Sequence, residues 1–171
     1  GAAVSLVAPP AGARVGGAGW IGLALWLARF DLARKSLRRG GLPQFMARTL
    51  LAGYAWLAVA GALALAFGAP QAGPHYDAIL HALFLGFVFA MIFAHAPVIF
   101  PAVAGRPIPF RPRFYAHVAL LHAGLLLRVA GDLGGSFEAR QWGGALNVAA
   151  VLLFGVQTAA GIGPPPARSR T

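Results

Sequence analysis

Apolar residues run along this chain in long unbroken stretches, separated by short segments rich in Gly, Pro and Arg. No stretch alternates apolar and polar positions with the period of a strand, and no segment repeats another, so the pattern predicts helices throughout. Five runs have the length of membrane-crossing helices: 16–36, 44–68, 77–100, 114–130 and 142–162. The first is the shortest in apolar content and crosses only if Arg29 snorkels to the interface. Gly40-Gly41-Leu42-Pro43 closes it, and Pro70, Gly73 and Pro74 mark the next turn. Pro97 and Pro101 are expected to bend or end the third run, because each removes a backbone donor. The predicted architecture is all-α, a single transmembrane helical domain of about five helices over residues 1–171.

Composition strengthens this reading. Of 171 residues 58% are apolar and only 11% charged, against about a quarter charged in a soluble domain. A small soluble fold cannot bury that much apolar surface, whereas a bilayer can. The formal charge of +10 would suit a nucleic-acid binder, but the basic residues stand in short loops between apolar runs, so a lipid bilayer and not nucleic acid is the expected partner. Arg34, Lys35, Arg38, Arg39 and Arg48 flank one loop, Arg106, Arg111 and Arg113 another, and Arg168 and Arg170 the tail. With five spans these regions share one side, expected to be the cytoplasmic side of an inner, multi-pass membrane location. The first residue would then lie outside with no signal peptide ahead of it. That arrangement suggests the C-terminal part of a larger polytopic protein, completed by upstream helices or by further copies in a homo-oligomer. The chain has no cysteine, which excludes thiol catalysis, zinc-thiolate sites and covalent haem attachment.

Ionisable groups inside hydrocarbon are costly and so mark candidate sites. His81 and His95 lie on the third run, fourteen residues apart. On an α-helix that spacing brings them to within about 40° of one face and separates them by about 21 Å. One metal ion cannot reach both, but two sites at different depths can use them. On the antiparallel fourth run, His117 lies at a depth similar to that of His95, with His122 about 7.5 Å deeper and about 140° around the axis. Neutral imidazole suits haem iron and copper, so His95 with His117 or His122 is a candidate ligand pair. Arg128 lies at the depth of His81 and can pair with Asp77, Asp132 or a haem propionate.

Plainer roles stand beside these. A histidine in a membrane bundle also serves as a hydrogen-bonding link to a neighbouring helix. His75 reads as a solvated turn residue, Asp31 as a surface ion pair, and Tyr54, Trp56 and Trp142 as interface anchors or packing. The four acidic residues are all expected near helix ends, which leaves no carboxylate pair for acid–base catalysis and argues against an enzyme.

Several short segments, taken in order, are similar to the C-terminal part of the NnrS family. They are Gly53-Tyr54-Ala55-Trp56-Leu57-Ala58, His81-Ala82-Leu83 with Gly86, Gly105-Arg106-Pro107, and Leu126-Leu127-Arg128-Val129-Ala130. The likeness covers roughly residues 45 to 160. It implies a polytopic membrane protein holding haem b, with copper as a second metal, and linked to nitric oxide and denitrification. His81 and Arg128 are the positions it carries over. The family's Gly-His-Thr-Gly-Arg stretch is not present around His95-Ala96-Pro97. The cofactor-binding expectation therefore comprises His81, His95, His117, His122 and Arg128, with the four histidines as metal ligands. A transporter or channel-like subunit with His and Arg along a polar path, or a structural subunit, are the alternatives.

Overall fold

A computed structural model describes residues 1–106 and 108–161. The elements among them are all helical: α1 (Ala2–Ser5), α2 (Pro9–Phe30), α3 (Ala33–Ser36), α4 (Gly41–Phe67), α5 (Pro74–His81), a π-helical segment (Ala82–Val88), α6 (Phe89–Ala104), α7 (Phe114–Gly134) and α8 (Phe137–Ala159). Four helical stretches are long and apolar enough to cross a bilayer: Gly41–Phe67, the continuous Pro74–Val103, Phe114–Gly134 and Phe137–Ala159. Large apolar side chains cover their outer faces. Leu126, Val148, Leu152 and Val156 are each more than 60% exposed, as lipid contact requires and water would penalise.

Four of the five expected spans are present as helices long and apolar enough to cross, with changes at their ends. The first does not run from 16 to 36: its helix starts at Pro9 and stops at Phe30, where Asp31 turns to extended backbone (φ −66°, ψ 147°). Asp31 is not a surface ion pair. Its carboxylate accepts the Ala33 N–H at 2.6 Å and the Tyr54 hydroxyl at 3.1 Å, which caps the short α3 and ties it to α4. α2 has 22 residues but is diluted by glycines, Arg14 and Arg29, and it is not among the four helices long and apolar enough to cross. The helix containing Pro97 and Pro101 neither ends nor breaks at them, but continues to Ala104 and closes at Gly105 with φ +63°. Membrane helices tolerate such prolines when their neighbours hold the freed carbonyls in a packed setting. The expected loop 131–141 shrinks to Gly135 and Ser136, with Asp132 inside α7 and Arg140 inside α8. Gly135 adopts φ +71° there, and the Ser136 hydroxyl accepts the Ala139 N–H to start α8. The tail arginines Arg168 and Arg170 lie outside the described residues, as does the last residue of the fifth expected span.

α4 occupies the middle, packed against α2, α3, α5, the π segment and α6, while α8 packs chiefly on α7. Where helices cross, glycines let backbones touch. A Cβ on Gly17 would lie 2.6 Å from the Gly61 carbonyl oxygen, and one on Gly143 2.5 Å from the Arg128 backbone nitrogen. In lipid, where water cannot drive association, such close packing is a main source of helix–helix affinity.

The loop arginines gather at one end of the bundle. The Arg48 guanidinium stands 5.7 Å from the Tyr115 ring centroid, joining the start of α4 to the start of α7. Gln157 near the end of α8 donates to the Arg113 carbonyl at 3.2 Å.

Two glycine substitutions should separate packing from propensity. Gly143→Ala forces the α7–α8 backbones apart and is expected to cost about 1–3 kcal/mol. Gly155→Ala, whose new methyl meets nothing within 4 Å, should be neutral or stabilising by up to about 1 kcal/mol. Thermal unfolding of the two variants in detergent would measure both.

Candidate functional site

Four charged residues at the other end of the bundle pair with one another. Arg128 on α7 reaches Asp77 on α5 (3.3 Å) and Asp132 one turn on (3.3 Å). Arg140 on α8 reaches the same two carboxylates, at 3.0 and 2.6 Å. Arg128 also donates to the Arg140 carbonyl at 3.3 Å. The Asp132 side chain is fully buried. Two acids and two bases thus cancel where three helices meet, and Arg128 is engaged by protein carboxylates, as two of the three partners foreseen for it. Removing one member strands the others. Asp132→Ala is expected to cost about 3–5 kcal/mol, read as a fall in the unfolding midpoint in detergent.

The four membrane-embedded histidines are not brought together. His81 does not share a face with His95. The π segment begins directly after His81, and its wider turns shift the phase of everything that follows. His81 accordingly lines a groove of about 410 Å³ with Leu85 of the π segment and Gly144, Asn147, Val148 and Val151 of α8. His95 lines a separate cleft with Asp31, Ala33, Met46 and Leu50. His117 is buried among phenyl rings, with Phe93 at 4.7 Å, Phe154 at 5.3 Å, Phe114 at 6.0 Å and Phe45 at 6.3 Å between centroids. His122 turns to α4 and meets Trp56. Among the described residues no three His, Cys, Asp or Glu side chains gather as a metal would need.

Hydrogen bonds fix the tautomers, and these decide which rings can act as ligands. His81 Nδ1 lies 2.7 Å from the Asp77 carbonyl and His95 Nδ1 2.8 Å from the Met91 carbonyl. A carbonyl only accepts, so both rings carry the proton on Nδ1 and keep the Nε2 lone pair. His117 Nδ1 lies 2.8 Å from Gln157 Oε1, while the Gln157 amide nitrogen is committed to Arg113. His117 therefore also donates from Nδ1, and its buried Nε2 has no partner among the described residues. His122 is the reverse. Trp56 Nε1 can only donate, at 3.0 Å to His122 Nδ1, so the proton sits on Nε2. With that bond in place the ring presents no lone pair to a metal, unlike the other three.

Residues outside the sequence-derived set also matter. Asn147 is 3% exposed, and neither end of its amide has a partner among the described residues. It stands in the His81 groove, facing Gly124, whose missing side chain leaves room for it. Trp56 is buried, not an interface anchor, and lies directly on Gly86 of the π segment. Tyr54, 4% exposed, is likewise buried. Exposed His75 stacks on Phe67 at 3.8 Å. Asn147 and Gln157 were legible as amides inside an apolar run, where an unpaired amide is costly though less so than a charge.

A family model, a domain of unknown function (DUF8744), matches residues 1–162. No curated protein and no solved structure matches the chain.

Proposed function

The chain belongs to the DUF8744 family, and on the geometry above we propose that it is a membrane haem-binding protein serving nitric oxide or redox-stress chemistry. The observation that carries this reading is the His81 groove. It combines an imidazole held by its Nδ1–H bond to Asp77, so that Nε2 is free, with a buried amide at Asn147 that lacks a partner. A metal-ligating histidine usually donates its other ring N–H to a carbonyl or carboxylate, which fixes the ring's orientation.

A haem suits these residues, because one imidazole suffices to hold it and the remaining wall, Leu85, Val148, Val151 and Leu152, is apolar. If held by His81 alone, a haem would supply an iron able to take up a small gas such as nitric oxide. His81 would hold it, Asp77 would orient His81, and Asn147 would supply a hydrogen bond inside the groove. Because His95 lines its own cleft while His117 lies among phenyl rings and His122 on Trp56, the geometry gives no support to the pair His95 with His117 or His122 as ligands of one haem. Copper has weaker grounds, since His117 offers one nitrogen among phenyl rings and no further donor. By the positive-inside rule we infer that the end bearing Arg34, Lys35, Arg38, Arg39, Arg111 and Arg113 would face the cytoplasm, with the inner membrane as the proposed location.

Haem titration of the purified full chain tests this. A Soret band with saturable 1:1 binding is expected, lost in His81→Ala and retained in His122→Phe. Haem retention in His81→Ala, or no binding by the parent chain, would overturn the assignment.

A further inference from the structure

A second groove of about 600 Å³ lies on the opposite flank of α7, walled by Ala52, Val59, Leu126 and Leu133 together with Trp56 and His122. The wall has no charged side chain and one polar feature, the imidazole of His122. The Trp56 donor forces His122 into the Nε2–H form, and that N–H is buried with no acceptor among the described residues. A buried donor without an acceptor is destabilising, and a ligand bearing an acceptor would relieve that cost.

We propose that this groove binds the head group of a lipid-soluble quinone, one carbonyl of which accepts the His122 Nε2–H while the ring lies beside Trp56. Three features select that chemistry. The donor has no cation near it, so a fatty-acid carboxylate would bring an uncompensated charge, whereas a quinone carbonyl is neutral. His122 is eight residues from Phe114 and twelve from Gly134, about 12 and 18 Å along the axis. It therefore lies deep in a hydrocarbon layer about 30 Å thick, below the depth of phospholipid ester carbonyls. A quinone ring travels at that depth. The wall is also open to lipid, with Leu126 62% and Leu133 47% exposed, so a ligand carried in the bilayer enters sideways. This site is separate from the His81 groove and does not rest on the haem reading.

The test is titration of the full chain in detergent micelles with decylubiquinone, following saturable quenching of tryptophan emission. Binding by the parent chain is expected, and His122→Phe should weaken it about tenfold, the worth of one buried hydrogen bond. His122→Gln, which can accept from Trp56 and donate onward, should restore it. Leu126→Phe, which fills the groove and keeps the imidazole, should weaken binding even if His122→Phe fails to fold. Val156→Phe, on the exposed face of α8 and outside both grooves, should leave it unchanged. The absence of saturable binding, equal binding by Leu126→Phe, or displacement by an equal mole fraction of phosphatidylcholine would overturn the proposal.

Discussion

The cost of placing polar groups in hydrocarbon organises this protein. Asp77, Arg128, Asp132 and Arg140 come from α5, α7 and α8 and each touches two partners of opposite sign. Asp132, whose side chain is fully buried, could not be tolerated there without its two arginines. Their mutual neutralisation fixes where the ends of three helices stand relative to one another. The glycine crossing of α7 and α8 then sets how close those helices lie, since Gly143 meets the backbone of Arg128 itself. Charge placement and backbone packing therefore meet at one residue.

From that frame follows the division of the histidines. α8 leans on α7, which leaves a groove between α8 and the π segment where His81 and Asn147 face each other's neighbours. α7 turns its other side to α4, where His122 finds Trp56. His117 is enclosed by rings from α4, α6, α7 and α8. One residue type thus appears in two chemical forms, three rings with an Nε2 lone pair and one with an Nε2 proton. The difference comes entirely from whether the partner of Nδ1 is an acceptor or a donor.

Much of the fold was legible in the apolar runs, because a bilayer demands long uncharged helices and short loops. Arg128 was legible too: its spacing from Asp132 is one helical turn, and both Asp77 and Asp132 were within foreseeable reach. The shared face of His81 and His95 was not, since it assumed uniform α geometry through Ala82–Val88. No rule based on residue type marks Ala-Leu-Phe-Leu-Gly-Phe-Val as π-helical. The Trp56–His122 bond spans 66 positions and depends on the bulk of Trp56 lying over Gly86, a tertiary fact. The prolines misled for a different reason. The penalty they carry in an exposed helix is softened when neighbouring helices surround it.

The wide turns after His81 have one more consequence. A π segment carries one more residue per turn than its surroundings, so it marks a place where a helix can lengthen or shorten by a residue without breaking. The halves of the Pro74–Ala104 rod are therefore indexed independently. The half bearing His81 answers to the ion cluster, and the half bearing His95 answers to α4. Lineages of this fold could rotate one set of side chains while leaving the other in place, and so vary one groove while its neighbour stays constant.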